Sequence, residues 1–404
     1  MENKTDREKI EDVSTRGVAN IIPGKEELRK VLESGRKLNI FLGIDPTSTK
    51  IHLGHAVPLR RLQLLVDLGH NVTFLIGDFT ALIGDTSDKE SERPVLTYEQ
   101  IEENFSSYKR QASKFLDFSK VRVVHNSEWL DKLTFGEIIK LCRHFSLNDF
   151  ISRELIKKRL TEGKSVSLPE VLYPVMQGYD SWFMDTDIQL GGTDQVFNMQ
   201  AGRTLQKNLR GKESFIIENA FLPGTDGRKM SKTWGNGIWL EDSPEDVYGK
   251  VMSVNDAVIN DYFVLGTSLP MTEVETFAKR LSDGENPMII KKELASIIVT
   301  EMYGEKEADG AAEHFQTTVV DKKPMESVST HAISFSSLPT INLPSQLVSW
   351  GTADSNSEAK RLVDQGAVYI NDMRVDPSSV EIKFPGKENI VRVGKRKYVK
   401  LVKD

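Results

Sequence analysis

Apolar residues near the start of the chain fall in short unbroken runs, with a stretch of helical spacing between them. "LNIFLGID" (38–45) and "NVTFLIGD" (71–78) are continuous apolar runs, the pattern of strands buried on both faces of a parallel sheet. Between them, "GHAVPLRRLQLLVDLG" (54–69) reads as a helix; Pro58 is tolerable in its first turn and Gly69 stops it. Strand, loop, helix, strand is a βαβ unit, so the expected class is α/β, with a Rossmann-like doubly wound parallel sheet. Ligands of such sheets bind beyond the strands' carboxyl ends, which is where residues 45–55 fall. Thr97 and Gln100 predict a capping box for a helix running through Tyr108.

Strands and helices alternate as far as "ESFIIENAFLPG", followed by a Gly-, Lys- and Ser-rich loop at 224–237. From "PEDVYGKVMS" to about Thr318 the pattern is helical, and the polar, serine-rich 320–337 reads as a linker. Beyond it, Ser355 and Glu358 predict a capped helix stopped by Gly366, and "AVYINDMRV" has strand-turn-strand character. The expected division is a catalytic domain over 1–223, the loop with an α-helical domain over 224–319, the linker, and a small α+β domain over 338–404.

Composition narrows the function classes. One cysteine, Cys142, permits no internal disulfide and suits a reducing compartment; it reads as a small buried hydrophobe. The polar start is not expected to be a signal peptide, and no apolar run approaches the ~20 residues needed to span a bilayer. A cytoplasmic protein without membrane association is expected. The net charge of −6 argues against a protein that coats nucleic acid along its whole surface. Its distribution says more: from Lys383 onward there are 8 basic and 2 acidic side chains. An acidic body with a basic end suggests a polyanion-binding appendix, the alternative being a solvated tail.

"DPTSTKIHLGH" (45–55) ends in His52 and His55, three residues apart. Zinc needs three or four protein ligands, and no C-x-x-C completes the set, so no structural metal is expected. Simple packing at the sheet end is the bland alternative. Phosphate fits the position better: a helix start offers amides and a dipole, Thr47, Ser48 and Thr49 add hydroxyls, and Gly54 leaves room for a ligand. A second motif, "DGRKMSKTWGN" (226–236), sets Lys229 and Lys232 around a serine, and lysine is a mobile point charge suited to polyphosphate.

Together these motifs resemble the two signatures of class I aminoacyl-tRNA synthetases. "GIDPTSTKIHLGH", "FLIGDFTALIGDTSDK", "ERPVLTYEQIEEN", "LYPVMQGYDS", "IQLGGTDQVFNMQAGR" and "LPGTDGRKMSKTWGN" extend the resemblance over nearly the whole chain, to bacterial-type tyrosyl-tRNA synthetases. The related tryptophan enzymes generally carry Met where this chain has Gln177. The resemblance implies activation of L-tyrosine by ATP, with Mg²⁺ accompanying the nucleotide, followed by transfer of tyrosine to tRNA-Tyr. It also implies a homodimer, for which the apolar stretch 121–175 offers an interface, and no tightly bound cofactor.

Residue by residue, it assigns Asp85, Tyr173 and Gln177 to the substrate ammonium and Asp180 to the phenol hydroxyl. Phe41, Gly43 and Asp45 complete the tyrosine pocket, and Gln195 lies against the carboxylate. Gly192 and Asp194 match contacts to the nucleotide ribose. Thr47, His52, Gly54 and His55 line the phosphates and ribose. Lys229 and Lys232, with Thr233 beside them, belong to a loop that closes over pyrophosphate; the catalytic set is His52, His55, Lys229 and Lys232. Two positions depart from the family. Phe41 stands where most members have Tyr, so Asp180 carries more of the discrimination. Thr233 replaces the final Ser of the loop signature.

The end of the chain, from about Leu338, resembles a small RNA-binding domain of the alpha-L type. Its candidate RNA contacts are Lys360, Arg361, Arg392, Lys395, Arg396, Lys397 and Lys400. Two rival readings exist: an RNA-binding protein built on a decayed synthetase, and an enzyme of tryptophan or other specificity.

Overall fold

The computed structural model describes residues 5–84, 96–231, 234–320, 329–333, 342–371, 373–375, 388–394 and 397–403. The chain divides into two compact units, Met1–Ala312 and Glu313–Asp404.

In the first unit the apolar runs become strands of one six-stranded sheet: β1 (Val18–Ile22), β2 (Asn39–Ile44), β3 (Asn71–Ile76), β4 (Arg122–His125), β5 (Ile188–Gly192) and β6 (Phe215–Asn219). Their spatial order is β1-β6-β5-β2-β3-β4, and every pairing is parallel except that of β1 with β6. The interior strands are buried through Ile40, Leu42, Phe74, Ile76, Leu190, Ile216 and Ile217, which accounts for their unbroken apolar sequences. The chain runs outward from β2 to β3 and β4, then returns to place β5 on the other side of β2. That reversal opens a crevice beyond the carboxyl ends of β2 and β5, the place where doubly wound sheets hold ligands.

Helix Leu53–Asp67 follows β2, as the apolar spacing predicts. The capping box of Thr97 and Gln100 is present, and its helix runs to Ala112, four residues past the expected end. From Pro244 onward the first unit is helical, and helix Pro287–Tyr303 reaches back to the sheet domain. Arg60, on the helix after β2, donates to Glu301 Oε2 at 2.9 Å and to the Gly266 carbonyl at 2.8 Å, with both charged side chains largely buried. Removing either partner would leave the other as a buried uncompensated charge, so the pair fixes the docking of these helices.

The second unit holds a five-stranded sheet of β7 (Ser329–Ile333), β8 (Val368–Ile370), β9 (Met373–Arg374), β10 (Glu388–Val393) and β11 (Lys397–Lys403), ordered β7-β11-β10-β8-β9. β7 lies within the segment read as a linker and pairs in parallel with β11. Its serine-rich surroundings mask a five-residue strand that polar composition alone does not reveal. Helix Asn356–Asp364 begins at Ser355, whose side chain accepts from the Glu358 amide as expected. Leu347, Trp350, Ala359, Val368, Val391, Val399 and Leu401 form this unit's core.

Candidate active site

Above the reversal point lies a cavity of about 300 Å³. Phe41, Gly43, Asp45, Thr47, His55, Tyr173, Gln177, Asp180, Asp194 and Gln195 all line it. Three come from one face of helix Leu168–Phe183, where the spacing 173, 177, 180 points them the same way. Asp45 directly follows β2, and Asp194 and Gln195 follow β5. Gly192 ends β5 beside them, and Gly54 lies in the first turn of helix Leu53–Asp67. Asp85, Lys232 and Thr233 lie outside the described residues.

Asp180 is buried at the cavity wall and held by two donors. Trp129 Nε1 donates to Oδ1 at 2.7 Å and Asn126 Nδ2 donates to Oδ2 at 3.2 Å. Burial pushes its carboxyl up to about 8, with Asp45 and Asp78 adding to the rise and the two donors opposing it. Asn126 directly follows β4 and Trp129 lies three residues on, so the carboxyl end of a third strand supplies these donors. Sequence reasoning missed both; the signal available was the polar "NSEW" after the strand-like "VRVVH".

Asp45 is itself engaged. Thr80 Oγ1 donates to Oδ1 and Tyr173 OH to Oδ2, each at 2.8 Å. This leaves Asp45 ordering the pocket wall through its neighbours. Gly77 is required there, because a Cβ on it would lie 2.1 Å from Asp45 Oδ1 and 2.4 Å from Thr80 Oγ1. Gly77 also escaped the sequence reading, where it was one more residue of an apolar run.

The two histidines pack with ring centroids 4.1 Å apart. His52 is the N-cap of helix Leu53–Asp67, and its backbone N–H donates to His55 Nδ1 at 3.2 Å. His55 Nδ1 also lies 3.3 Å from the His52 carbonyl, so the backbone of His52 meets this nitrogen with both a donor and an acceptor. Burial lowers His55 to about 4 and His52 to about 2, the latter helped by His55 and Lys229. Both rings are neutral at physiological pH and serve as hydrogen-bonding groups, not cations. A Cβ at Gly54 would stand 2.9 Å from His52 Nδ1, so the glycine between the histidines is a packing requirement as well. The helix start is less open than the sequence implies, since the Leu53 amide donates to Ile238 O and the His55 amide to His52 O, each at 2.8 Å.

The lysine motif is tied to the histidines through the backbone. Trp239 forms a bridge with His52 and sets its ring edge-on, centroids 5.7 Å apart. Upstream, Asn236 closes the loop: its Oδ1 accepts from the Ser231 amide at 2.8 Å, and its Nδ2 donates to Asp226 Oδ1 at 2.7 Å and to Lys229 O at 3.2 Å. Lys229 is exposed, with Nζ 5.0 Å from the centre of the Phe221 ring.

In the second unit the basic residues divide. Buried Val391, Val393, Val399 and Leu401 face the helices, so Arg392 and Lys400 take the outer face of the sheet. Arg392 stacks over Tyr369 at 3.8 Å. Lys360 and Arg361 are exposed on helix Asn356–Asp364, which packs against the opposite face, and exposed Lys397 lies 3.8 Å from Asp354. Lys395 and Arg396 lie outside the described residues. Among the described residues no group of three or more His, Cys, Asp or Glu side chains is placed to hold a metal, and no helix is long and apolar enough to cross a membrane.

Residues 33–319 match the model of the class I tRNA synthetases (W and Y), and residues 325–401 match the SYY-like C-terminal domain of tyrosine–tRNA ligases. The chain is 41% identical over 398 residues to a tyrosine–tRNA ligase of Carboxydothermus hydrogenoformans, covering 97% of both chains. It is 39% identical to one of Thermotoga maritima, covering 96% of this chain and 95% of that one. The fold is shared with a crystal structure of the Archaeoglobus fulgidus tyrosyl-tRNA synthetase with L-tyrosine, at a TM-score of 0.61 and 24% identity, over 76% of this chain and all of the other.

Proposed function

We infer the roles of these residues from the premise that the chain belongs to the class I tRNA synthetases of the tryptophan and tyrosine family. Its activity is that of a tyrosine–tRNA ligase: it activates L-tyrosine with ATP to tyrosyl-adenylate and pyrophosphate, then transfers tyrosine to the 3′ end of tRNA-Tyr. The observation that carries the residue assignment is Asp180, a buried carboxyl presented to a cavity at the sheet's reversal point by Trp129 and Asn126.

In this reading the phenol hydroxyl donates to Asp180, while Tyr173 and Gln177 on the same helix face receive the ammonium with Asp85. Gln195 lies against the carboxylate. That carboxylate is already ionised at neutral pH, so attack on the α-phosphorus needs no general base. The enzyme supplies alignment and charge neutralisation. The attacking carboxylate oxygen forms the new P–O bond as the bond to the bridging oxygen of pyrophosphate breaks. Gly192 and Asp194 hold the ribose, and Thr47, Gly54, His52 and His55 line the phosphates. Lys229 and Lys232, beside Thr233, neutralise the departing pyrophosphate, with Mg²⁺ accompanying ATP. Neutral histidines hydrogen-bond to phosphate oxygens without adding charge, which leaves charge neutralisation to the lysines.

The reading places the reaction in the cytoplasm and in a homodimer. Exposed Phe135, Ile139, Leu147 and Leu168 fall within the 121–175 stretch, and an apolar hollow of Leu133, Ile138, Leu141 and Val175 falls in or beside it. Large apolar patches of this kind mark interaction surfaces. Charged substitutions at Phe135 and Leu168 together should convert a dimer to a monomer in sedimentation velocity; an unaltered sedimentation coefficient would place the interface elsewhere.

Residues 224–319 are proposed to carry tRNA recognition by the α-helical domain, and 338–404 to add a basic RNA-binding surface. A chain ending near Ser336 should form tyrosyl-adenylate normally, since every small-substrate residue named precedes Gly237. Its aminoacylation should fall, mainly through a raised KM for tRNA. The salt dependence of tRNA affinity should flatten by about one unit of slope per lost phosphate contact. Unchanged charging and an unchanged slope would leave the tail as a solvated appendage.

A further inference from the structure

Helix Tyr98–Ala112 and the turn after it carry no residue assigned above, yet their side chains hold the segment before His52 and Leu240, which follows the lysine loop. Asn104 Nδ2 donates to Pro46 O at 2.8 Å, and Ser107 Oγ and Gln111 Nε2 each donate to Thr49 O at 2.7 Å. Gln111 Oε1 accepts from the Ile51 amide at 3.0 Å. The stripe 104, 107, 111 follows the helical repeat, and Lys114 extends it into the turn beyond. Lys114 Nζ donates to Leu240 O at 2.7 Å and sits 3.7 Å over the Tyr303 ring. Tyr303 OH donates to the Asp242 carbonyl and lies 3.2 Å from Leu240 O, and the Leu240 amide donates to Ile51 O at 2.9 Å.

These bonds close a circuit: Gln111 to Ile51, Ile51 to Leu240, Leu240 to Lys114, and back along the helix to Gln111. Ile51 precedes His52, and Leu240 follows the loop that carries the lysines. We propose that Gln111 and Lys114 are positioning residues that lock the histidine segment and the exit of the lysine loop in register, so that both meet one polyphosphate. The inference rests on the adenylation reading above and assigns neither residue a contact with substrate.

Burial lowers the Lys114 ammonium to about 8, against the pull of Glu241 and Asp242. Arg110, which pairs with Glu241, and Tyr303 are the other ionisable groups facing it. Above that pH the clamp loses its charge, both over the ring and at the carbonyl.

The test is tyrosine-dependent ATP–pyrophosphate exchange on the full chain, with tyrosine affinity measured separately by equilibrium dialysis. Lys114→Met should lower the exchange rate by about 10-fold and raise the KM for ATP, because small misplacements of groups around a reacting centre cost that much or more. Tyrosine affinity should stay within about twofold, since the tyrosine pocket lies outside the circuit. Lys114→Arg, whose guanidinium reaches a carbonyl and stays charged, should keep the exchange rate near native at pH 7.5 and remove the native decline above about pH 8. Unchanged exchange in Lys114→Met, or an equal fall in tyrosine affinity, would overturn the proposal. If Lys114→Met fails to fold, an alkaline decline persisting in Lys114→Arg overturns it equally. An unaltered chain without tyrosine-dependent exchange would overturn the adenylation reading itself, and this inference with it.

Discussion

Asp180→Ala is expected to remove about 10²-fold of the preference for tyrosine over phenylalanine in kcat/KM, the upper end of what one hydrogen bond to a charged group contributes. The effect is concentrated in Asp180 because Phe41 brings only a ring to the pocket, and because Asn126 and Trp129 already direct their donors at the carboxylate. The substitution also strands those two buried donors, so the melting temperature should fall. Comparing the two amino acids on the same variant cancels that loss. Retained discrimination would mean that another group receives the hydroxyl.

The raised Asp180 value adds a pH dependence. Below about 8 the free site holds a proton that a donating phenol displaces, so tyrosine affinity should rise between pH 6 and 8. The effect on stability has the opposite sense. Between the ordinary carboxylate range and about 8 the native chain holds more protons at this site than the unfolded chain, so the contribution of Asp180 to stability declines as pH rises through that window. Equilibrium dialysis at pH 6, 7 and 8 checks the first; a flat profile would mean that the phenol meets a neutral acid.

The loop lysines should show the second large effect. Lys229→Ala and Lys232→Ala are each expected to slow adenylation by ~10²-fold or more while tyrosine affinity barely moves, because charge on the pyrophosphate develops only as it separates. Lys229 already acts at a distance on His52, helping to hold it neutral. Stopped-flow adenylate formation alongside tyrosine dialysis separates the two quantities. Equal losses in both would make the lysines structural.

The sequence was most legible where one physical demand fixed the pattern. Strands buried on both faces wrote the unbroken runs of β2 and β3, and the residues lining the cavity sit where a doubly wound sheet must place them. What remained hidden depends on contacts between distant segments. Trp129 and Asn126 become partners of Asp180 only when β4 and helix Leu168–Phe183 meet, and Gly77 is crowded by the side chains of Asp45 and Thr80. Gln111 and Lys114 lie beyond the helix end expected from the sequence, and their roles exist only where Ile51 and Leu240 come beside them. Strand β7 was concealed for a different reason, since its pairing is made by the backbone and its side chains resemble those of a linker.

The most direct measurement is ATP–pyrophosphate exchange with each of the twenty amino acids in turn, repeated on Asp180→Ala. Tyrosine alone should support rapid exchange by the native chain, and in the variant its advantage over phenylalanine should shrink by about 10²-fold. Exchange supported best by tryptophan, or none with any amino acid, would contradict the assignment of this cavity to tyrosine activation.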